Sequence, residues 1–302
     1  MPDSRYLPAL RVVFLGAVVA FAWFGLRGRF DEVGTALGST SGAGLAGALV
    51  LVLGGLLATG VLWRRLMAAV GADLPVTDGL ATFFVGQLGK YIPGSVWSIG
   101  AQAQMAGRRA VPPRATVTAG LLFLGYHVAT AVVVGTTVLL LGGLESPWPS
   151  WLSVLLLVGA LAGQLPAVVR RAGARVGGRS VSVGATDTLV TLALMTVTWA
   201  SYAAALVLLA PGFPWPDLVA LGGAFALAYA VGVVIVLAPA GVGARDALLV
   251  LLLTPLLGVA DATALALLAR VVHTAADALM AAGWWVAARS GGLERPLPEG
   301  SA

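Results

Sequence analysis

A lysine, a proline and a glycine interrupt an apolar stretch at residues 89–97, GKYIPGSVW. Pro93 has no backbone N–H and Gly94 tolerates backbone angles that other residues avoid, so we expect one helix to end and another to begin here. Within a bilayer, such a break is stable only where protein or a water-filled cavity surrounds it. Lys90 is also the only lysine among 18 basic residues. The stretch therefore predicts a functional centre.

The composition indicates a polytopic membrane protein. Of the 302 residues, 59% are hydrophobic and only 10% are charged, which is far more apolar than a soluble domain. The chain contains no cysteine and two histidines, so we expect no disulfide, no thiol chemistry, no metal site and no cofactor. The net charge of +5 comes with arginines at the ends of apolar runs. That is the positive-inside pattern, and we expect no nucleic-acid partner.

The order of the apolar runs predicts an all-α membrane protein with about six full spans and two broken, re-entrant helical hairpins. The first run also imitates a signal peptide, but further apolar runs follow it, which favours a span. Each half of a broken segment is shorter than the roughly 20 residues that a spanning helix needs. The predicted spans are residues 9–26, 42–62, 115–143, 151–169, 187–210 and 260–288, and the broken segments are residues 79–106 and 218–257.

The arginines predict the topology. Arg65 precedes the first broken segment and Arg108 follows it, so both of its ends are expected in the cytoplasm. The same rule places both termini of the protein in the cytoplasm and the loops at 145–150 and 211–216 outside the cell. Residues 291–302 are expected to form a short disordered cytoplasmic tail.

Residues 1–145 and 150–290 then show the same order of elements in opposite orientations. This predicts an inverted-topology repeat within one integral membrane domain, residues 1–290. The alternative is a coincidence of hydropathy. Proteins built from such repeats often place a substrate site at mid-membrane, where broken helices meet.

Two motifs carry a resemblance to a known family. The run GKYIPGSVW with a following arginine pair, the run APAGVGARDALL and a later arginine in the last helix resemble the transmembrane domain of lysylphosphatidylglycerol synthases. The resemblance covers roughly residues 10 to 288. It implies a stand-alone, flippase-like protein of the plasma membrane. We expect no lipid aminoacylation, because no soluble synthase domain accompanies the membrane domain.

The chain departs from the family at two places. Lys90-Tyr91 stands where asparagine or arginine is common, and the acid after Arg245 is Asp246 where the family more often has glutamate. The resemblance therefore leaves the lipid substrate open.

Cations and backbone groups near the two breaks are candidate contacts for a phosphate. Lys90 can meet a phosphate as a point charge and Arg245 can clamp one in bidentate fashion. N–H groups at a helix start can also bind an anion. The alternatives are a lysine that extends to the interface, an ordinary helix cap and a self-neutralising Arg245–Asp246 pair. The candidate substrate-binding residues are Lys90, Tyr91, Pro93, Gly94, Ser95, Arg245 and Arg270.

Three polar residues of the last span have helical spacing. Arg270, His273 and Asp277 are three and four residues apart, so they are expected on one face of the helix. They are interpreted either as a substrate and proton-relay site or as a network that holds helices together. The candidates for proton coupling or a polar network are His127, Asp246, His273 and Asp277.

The leading hypothesis is transport of a lipid with an anionic headgroup, either an anionic phospholipid or a polyprenyl phosphate. A second hypothesis is a non-catalytic membrane partner of a lipid- or glycan-modifying enzyme. A membrane-embedded lipid-phosphate enzyme ranks lowest, because the sequence offers few carboxylates to act as a base or to bind metal.

Overall fold

The computed structural model describes residues 40–92, 96–178, 180–210, 217–234 and 244–290. Within these ranges every regular element is helical and there is no strand. The α-helices are α1 (Gly42–Ala69), α2 (Val76–Gln87), α3 (Val96–Gly107), α4 (Pro113–Leu140), α5 (Ser150–Gly163), α6 (Pro166–Gly177), α7 (Ala185–Leu209), α8 (Asp217–Val234), α9 (Ala244–Leu257) and α10 (Val259–Ser290). A short 3₁₀ helix, Leu88–Tyr91, continues α2.

Four of these helices, α1, α4, α7 and α10, are long and apolar enough to cross a membrane, with 28, 28, 25 and 32 residues. Each exceeds the roughly 20 residues that a bilayer requires. The prediction of an all-α, membrane-embedded protein is therefore confirmed. The predicted first span, residues 9–26, and the predicted tail, residues 291–302, lie outside the described residues.

The predicted span at residues 151–169 is a bent pair of helices. α5 and α6 meet at an angle of 70°, and α6 continues to Gly177, beyond the predicted end of the span at residue 169. Pro166 explains the bend, because the residue before a proline is driven out of the helical region. Leu165 is accordingly extended, with φ −60° and ψ 134°. Counting this pair as one span gives five candidate spans in the described part of the chain.

Helices α1 and α7 pack antiparallel along their length. Gly44, near the start of α1, lies against Leu208, near the end of α7. The hydroxyl of Thr198 donates to the carbonyl of Gly55 at 3.3 Å. At the other end, Arg65 forms an ion pair with Asp187 at 3.4 Å. These contacts hold α1 and α7 together along their length.

Helices α2 and α3 form an antiparallel hairpin around the first break. A Cβ added to Gly89 would lie 2.6 Å from the backbone nitrogen of Ser98, so only glycine permits this approach. At the open end, Asp78 and Arg109 form an ion pair at 2.7 Å, and the aspartate side chain is only 8% exposed. This ion pair therefore holds the start of α2 close to the end of α3.

The last helix of each half of the chain packs on the broken segment of the other half. α4 packs against α8, where Gly135 lies against Leu227, and α10 packs against α2. Besides these two pairs and the pair of α1 with α7, the main packed pairs among the four helices before α5 and the four after α6 are α1 with α2, α1 with α4, α1 with α10, α2 with α3, α3 with α4, α4 with α7, α7 with α8, α7 with α10, α8 with α9 and α9 with α10.

Candidate functional site

A cavity of about 150 Å³ lies at mid-depth in the bundle. Leu56, His127 and Thr274 line it, and each lies near the middle of its long helix, α1, α4 or α10. The tip of the hairpin contributes Lys90 and Tyr91 to the same wall. Enclosed sites for drug-sized ligands measure roughly 300–1,000 Å³, so this cavity is smaller than such a site.

Lys90 is paired with a carboxylate of the last helix. Its Nζ lies 2.6 Å from Oδ2 of Asp277, whose side chain is only 4% exposed, whereas that of Lys90 is 35% exposed. The hydroxyl of Tyr91 donates to the same oxygen at 2.7 Å and lies 3.3 Å from the hydroxyl of Thr274. The 3₁₀ turn places Lys90 and Tyr91 side by side, so two donors converge on one carboxylate oxygen.

Arg270 is paired in bidentate fashion with Asp246. Its Nη2 lies 2.5 Å from Oδ2 and its Nε 3.3 Å from Oδ1 of the aspartate. Arg270 lies on α10 and Asp246 in the first turn of α9. The start of α9 therefore places its acid beside a cation of the next helix.

Arg245 differs from the other two cavity cations. Its Nε is buried and has no hydrogen-bond partner among the described residues. Its guanidinium carbon lies 4.6 Å from the centre of the Phe225 ring. The ring supports the cation from one side and forms no hydrogen bond with it. Among the described residues, Arg245 is the cavity cation that forms no ion pair with a carboxylate.

The two histidines line the cavity beside aromatic rings of α8. His127 stacks on Tyr229 with ring centres 4.5 Å apart, and His273 stacks on Phe225 at 5.1 Å. Nδ1 of His273 donates to the carbonyl of Ala269 at 2.8 Å, which leaves Nε2 as an acceptor. That Nε2 and both ring nitrogens of His127 are buried without a partner in the described part of the chain.

The structure brings most of the sequence-predicted site residues together. Arg270, His273 and Asp277 all face the cavity, as the helical spacing predicts. Three of the predicted residues, Pro93, Gly94 and Ser95, lie outside the described residues. The cavity is thus built from the hairpin tip, the start of α9 and the centre of α10.

Sequence reasoning missed the aromatic wall. Tyr202, Phe225 and Tyr229 line the cavity, although hydropathy treats such residues as ordinary span or interface residues. Tyrosines in the interior of predicted spans were the available signal, since a buried hydroxyl needs a partner. Among the glutamines that flank the first break, Gln87 and Gln102 line the cavity, whereas Gln104 is exposed. Oε1 of Gln102 is buried and has no partner within the described ranges.

The chain matches no protein-family model and no curated protein sequence. No cluster of three or more potential metal ligands occurs among the described residues.

Proposed function

We propose that this protein transports a lipid with an anionic phosphate headgroup across the cell membrane. The observation that carries the proposal is Arg245, which lines the mid-depth cavity and whose buried Nε has no hydrogen-bond partner among the described residues. Guanidinium groups match phosphate oxygens in charge and geometry. Intramembrane ionisable groups are costly, and they commonly mark substrate pathways.

The helix packing supports an inverted repeat of residues 1–145 and 150–290. Exchanging α1, α2, α3 and α4 for α7, α8, α9 and α10 converts each main packed pair among these helices into another such pair, except that α1 with α7 maps onto itself. His127 and His273 also lie equally far from the starts of their helices, Pro113 and Val259. Transporters with this symmetry alternate access by moving one half against the other around a central site.

In the proposed arrangement, six spans and two re-entrant hairpins surround the cavity, and both termini are cytoplasmic. The sixth span of this arrangement is the one predicted at residues 9–26, which lie outside the described residues. The 3₁₀ turn of the first hairpin meets α10 near its middle, at Thr274, which supports a hairpin that reaches mid-membrane from one side. The resemblance to the flippase-like family supports the same function, with the lipid either an anionic phospholipid or a polyprenyl phosphate.

A liposome assay tests the proposal. The purified protein is reconstituted, and the flipping of a fluorescent phosphatidylglycerol and of a polyprenyl phosphate is measured for wild type and Arg245→Gln. We expect the variant to flip lipid about tenfold more slowly or worse, because a charged hydrogen bond contributes roughly 1.5–3 kcal/mol.

Arg289→Gln is the matched control, since the Arg289 guanidinium stacks on Trp285 at 3.6 Å, away from the cavity. This variant should match wild type. Equal rates for Arg245→Gln and wild type would overturn the role of Arg245. No wild-type flipping of either lipid would overturn transport and favour a non-catalytic partner of a lipid- or glycan-modifying enzyme.

A further inference from the structure

The charges around the cavity leave room for one negative charge. Three cations, Lys90, Arg245 and Arg270, face two carboxylates, Asp246 and Asp277. With all five ionised and both histidines neutral, the described groups carry one net positive charge. A phosphate diester has a single negative charge and balances it. A phosphate monoester, whose second pKa is about 6, has nearly two charges at neutral pH.

The two carboxylates are not equally replaceable. Asp246 holds Arg270 through two hydrogen bonds in a fixed fork, a geometry that is strong and specific. Asp277 holds Lys90 through one oxygen, and the lysine ammonium is a point charge on a flexible stem. Tyr91 binds that same oxygen, so Asp277 keeps a hydrogen-bond partner when Lys90 moves away.

We infer that a phosphate monoester displaces Asp277 from Lys90 and binds together with one proton, which the Asp277 carboxylate takes up. This inference rests on the proposed function. Lys90 and Arg245 then face the doubly charged headgroup, and the charge of the cavity stays balanced. A phosphate diester binds at Arg245 with no proton, and the Lys90–Asp277 pair remains closed.

Other groups near Asp277 supply no equivalent proton acceptor. The titratable and charged side chains that face this part of the cavity are Lys90 and Tyr91 from the hairpin tip, His127 from α4, Tyr202 from α7, Tyr229 from α8, Arg245 and Asp246 from the start of α9, and Arg270 and His273 from α10 itself. The cavity residues of α1 and α2 carry no titratable group. A proton on either histidine would add positive charge without releasing Lys90, whereas a proton on Asp277 does both.

Titration calorimetry of the purified wild-type protein in detergent tests this inference. Short-chain phosphatidic acid is the monoester probe and short-chain phosphatidylglycerol the diester probe. Repeating each titration in buffers of different ionisation enthalpy counts the protons taken up. We expect one proton per phosphatidic acid and none per phosphatidylglycerol. Above neutral pH, the affinity for phosphatidic acid should then fall about tenfold per pH unit, as linkage requires for one proton.

The variant Asp277→Asn should bind phosphatidic acid without proton uptake and with no such dependence on pH. Infrared difference spectra should show a protonated carboxyl group on phosphatidic acid binding in wild type and not in this variant. Asp78→Asn is the matched control, because Asp78 belongs to a buried ion pair outside the cavity. It should keep the wild-type proton count.

Binding of phosphatidic acid to wild type with no proton uptake would overturn the inference and leave the phosphate site intact. Proton uptake that persists in Asp277→Asn would overturn it as well. If neither probe binds wild type, the proposed phosphate site itself fails. If Asp277→Asn does not fold, the wild-type infrared difference spectrum decides, because proton uptake without a protonated carboxyl signal would overturn the inference.

Discussion

Arg270 and Asp246 form the one bidentate ion pair among the described residues of the cavity. Both side chains are largely buried, at 11% and 18% exposure. A buried pair has little net effect on stability as a whole, because desolvation offsets the attraction, but removal of one partner leaves the other charge uncompensated. The pair therefore fixes α9 against α10 more through geometry than through energy.

Two variants of this pair should show whether an uncompensated carboxylate is what destabilises the protein. Arg270→Gln should destabilise the protein by roughly 3 kcal/mol, because Asp246 loses its bidentate partner. Arg270→Gln combined with Asp246→Asn should recover part of that loss, since the stranded carboxylate is gone. Thermal unfolding of the detergent-purified proteins measures both. A double variant no more stable than Arg270→Gln would show that the stranded charge is not the cause.

At the residue level, the sequence predicted the charged groups but not how they pair. The sequence makes Lys90, Arg245 and Arg270 candidate phosphate contacts, and the structure gives Lys90 and Arg270 a carboxylate partner. The partners Tyr91 and Asp277 are 186 residues apart in the chain. Composition and spacing locate costly groups in a membrane, but they do not give distances between helices that are remote in sequence.

At the level of elements, two glycines decide how closely the halves of the hairpin approach. Gly86 lies against Gln102, and Gly89 lies against the backbone of Trp97 and Ser98. The close approach puts Gln102 in the cavity wall and the 3₁₀ turn against α10. Proline and glycine at residues 93 and 94 allowed the break to be predicted. The two glycines of α2 and its extension look like ordinary small residues of an apolar helix, so their role was not visible in the sequence.

Gly89→Ala should destabilise the hairpin. The added Cβ would lie 2.6 Å from backbone atoms of α3 that cannot rotate away, and such overpacking typically costs about 1–3 kcal/mol. Gly100→Ala on the facing helix is the matched control, since its Cβ would meet nothing within 4 Å and alanine favours the helix by up to roughly 1 kcal/mol. Thermal unfolding should rank Gly89→Ala below wild type and Gly100→Ala at or above it. The reverse order would contradict the hairpin packing.

The bend between α5 and α6 could be predicted from the sequence. Hydropathy predicted a straight span, but Pro166 lies inside that run and disfavours a continuous helix at the preceding residue. What the sequence could not supply is the angle, which depends on the packing of α6 against α4. There, a Cβ on Gly177 would lie 2.9 Å from the hydroxyl of Thr118.

At the level of the whole molecule, helices of each half of the chain pack against helices of the other half. The hairpin α2–α3 packs on α10, and α8 packs on α4. The cavity lies between these exchanged contacts, so its walls come from both halves. Motion of one half against the other would change the cavity from both sides.

Cysteine labelling should decide the topology, and the natural chain contains no cysteine. Ser146→Cys and Gly212→Cys should react with an impermeant maleimide in intact cells. Ala110→Cys and Arg175→Cys should react only after permeabilisation. Ser146, Ala110 and Arg175 are exposed in the structure, so accessibility does not limit them. Labelling of residue 175 from the same side as residue 146 would mean that α5 and α6 do not cross the membrane together. Labelling of residues 110 and 212 from one side would overturn the inverted topology.

The contacts between the two halves of the chain have a consequence for biogenesis. The ribosome delivers Lys90 and Tyr91 to the membrane long before Asp277, their carboxylate partner 186 residues beyond Tyr91. Until α10 inserts, the hairpin tip carries an unneutralised ammonium, and α2 lacks the helix that covers it. We therefore expect the insertion machinery or lipid headgroups to shelter that charge during synthesis. Assembly is complete only when the last helix has entered the bilayer.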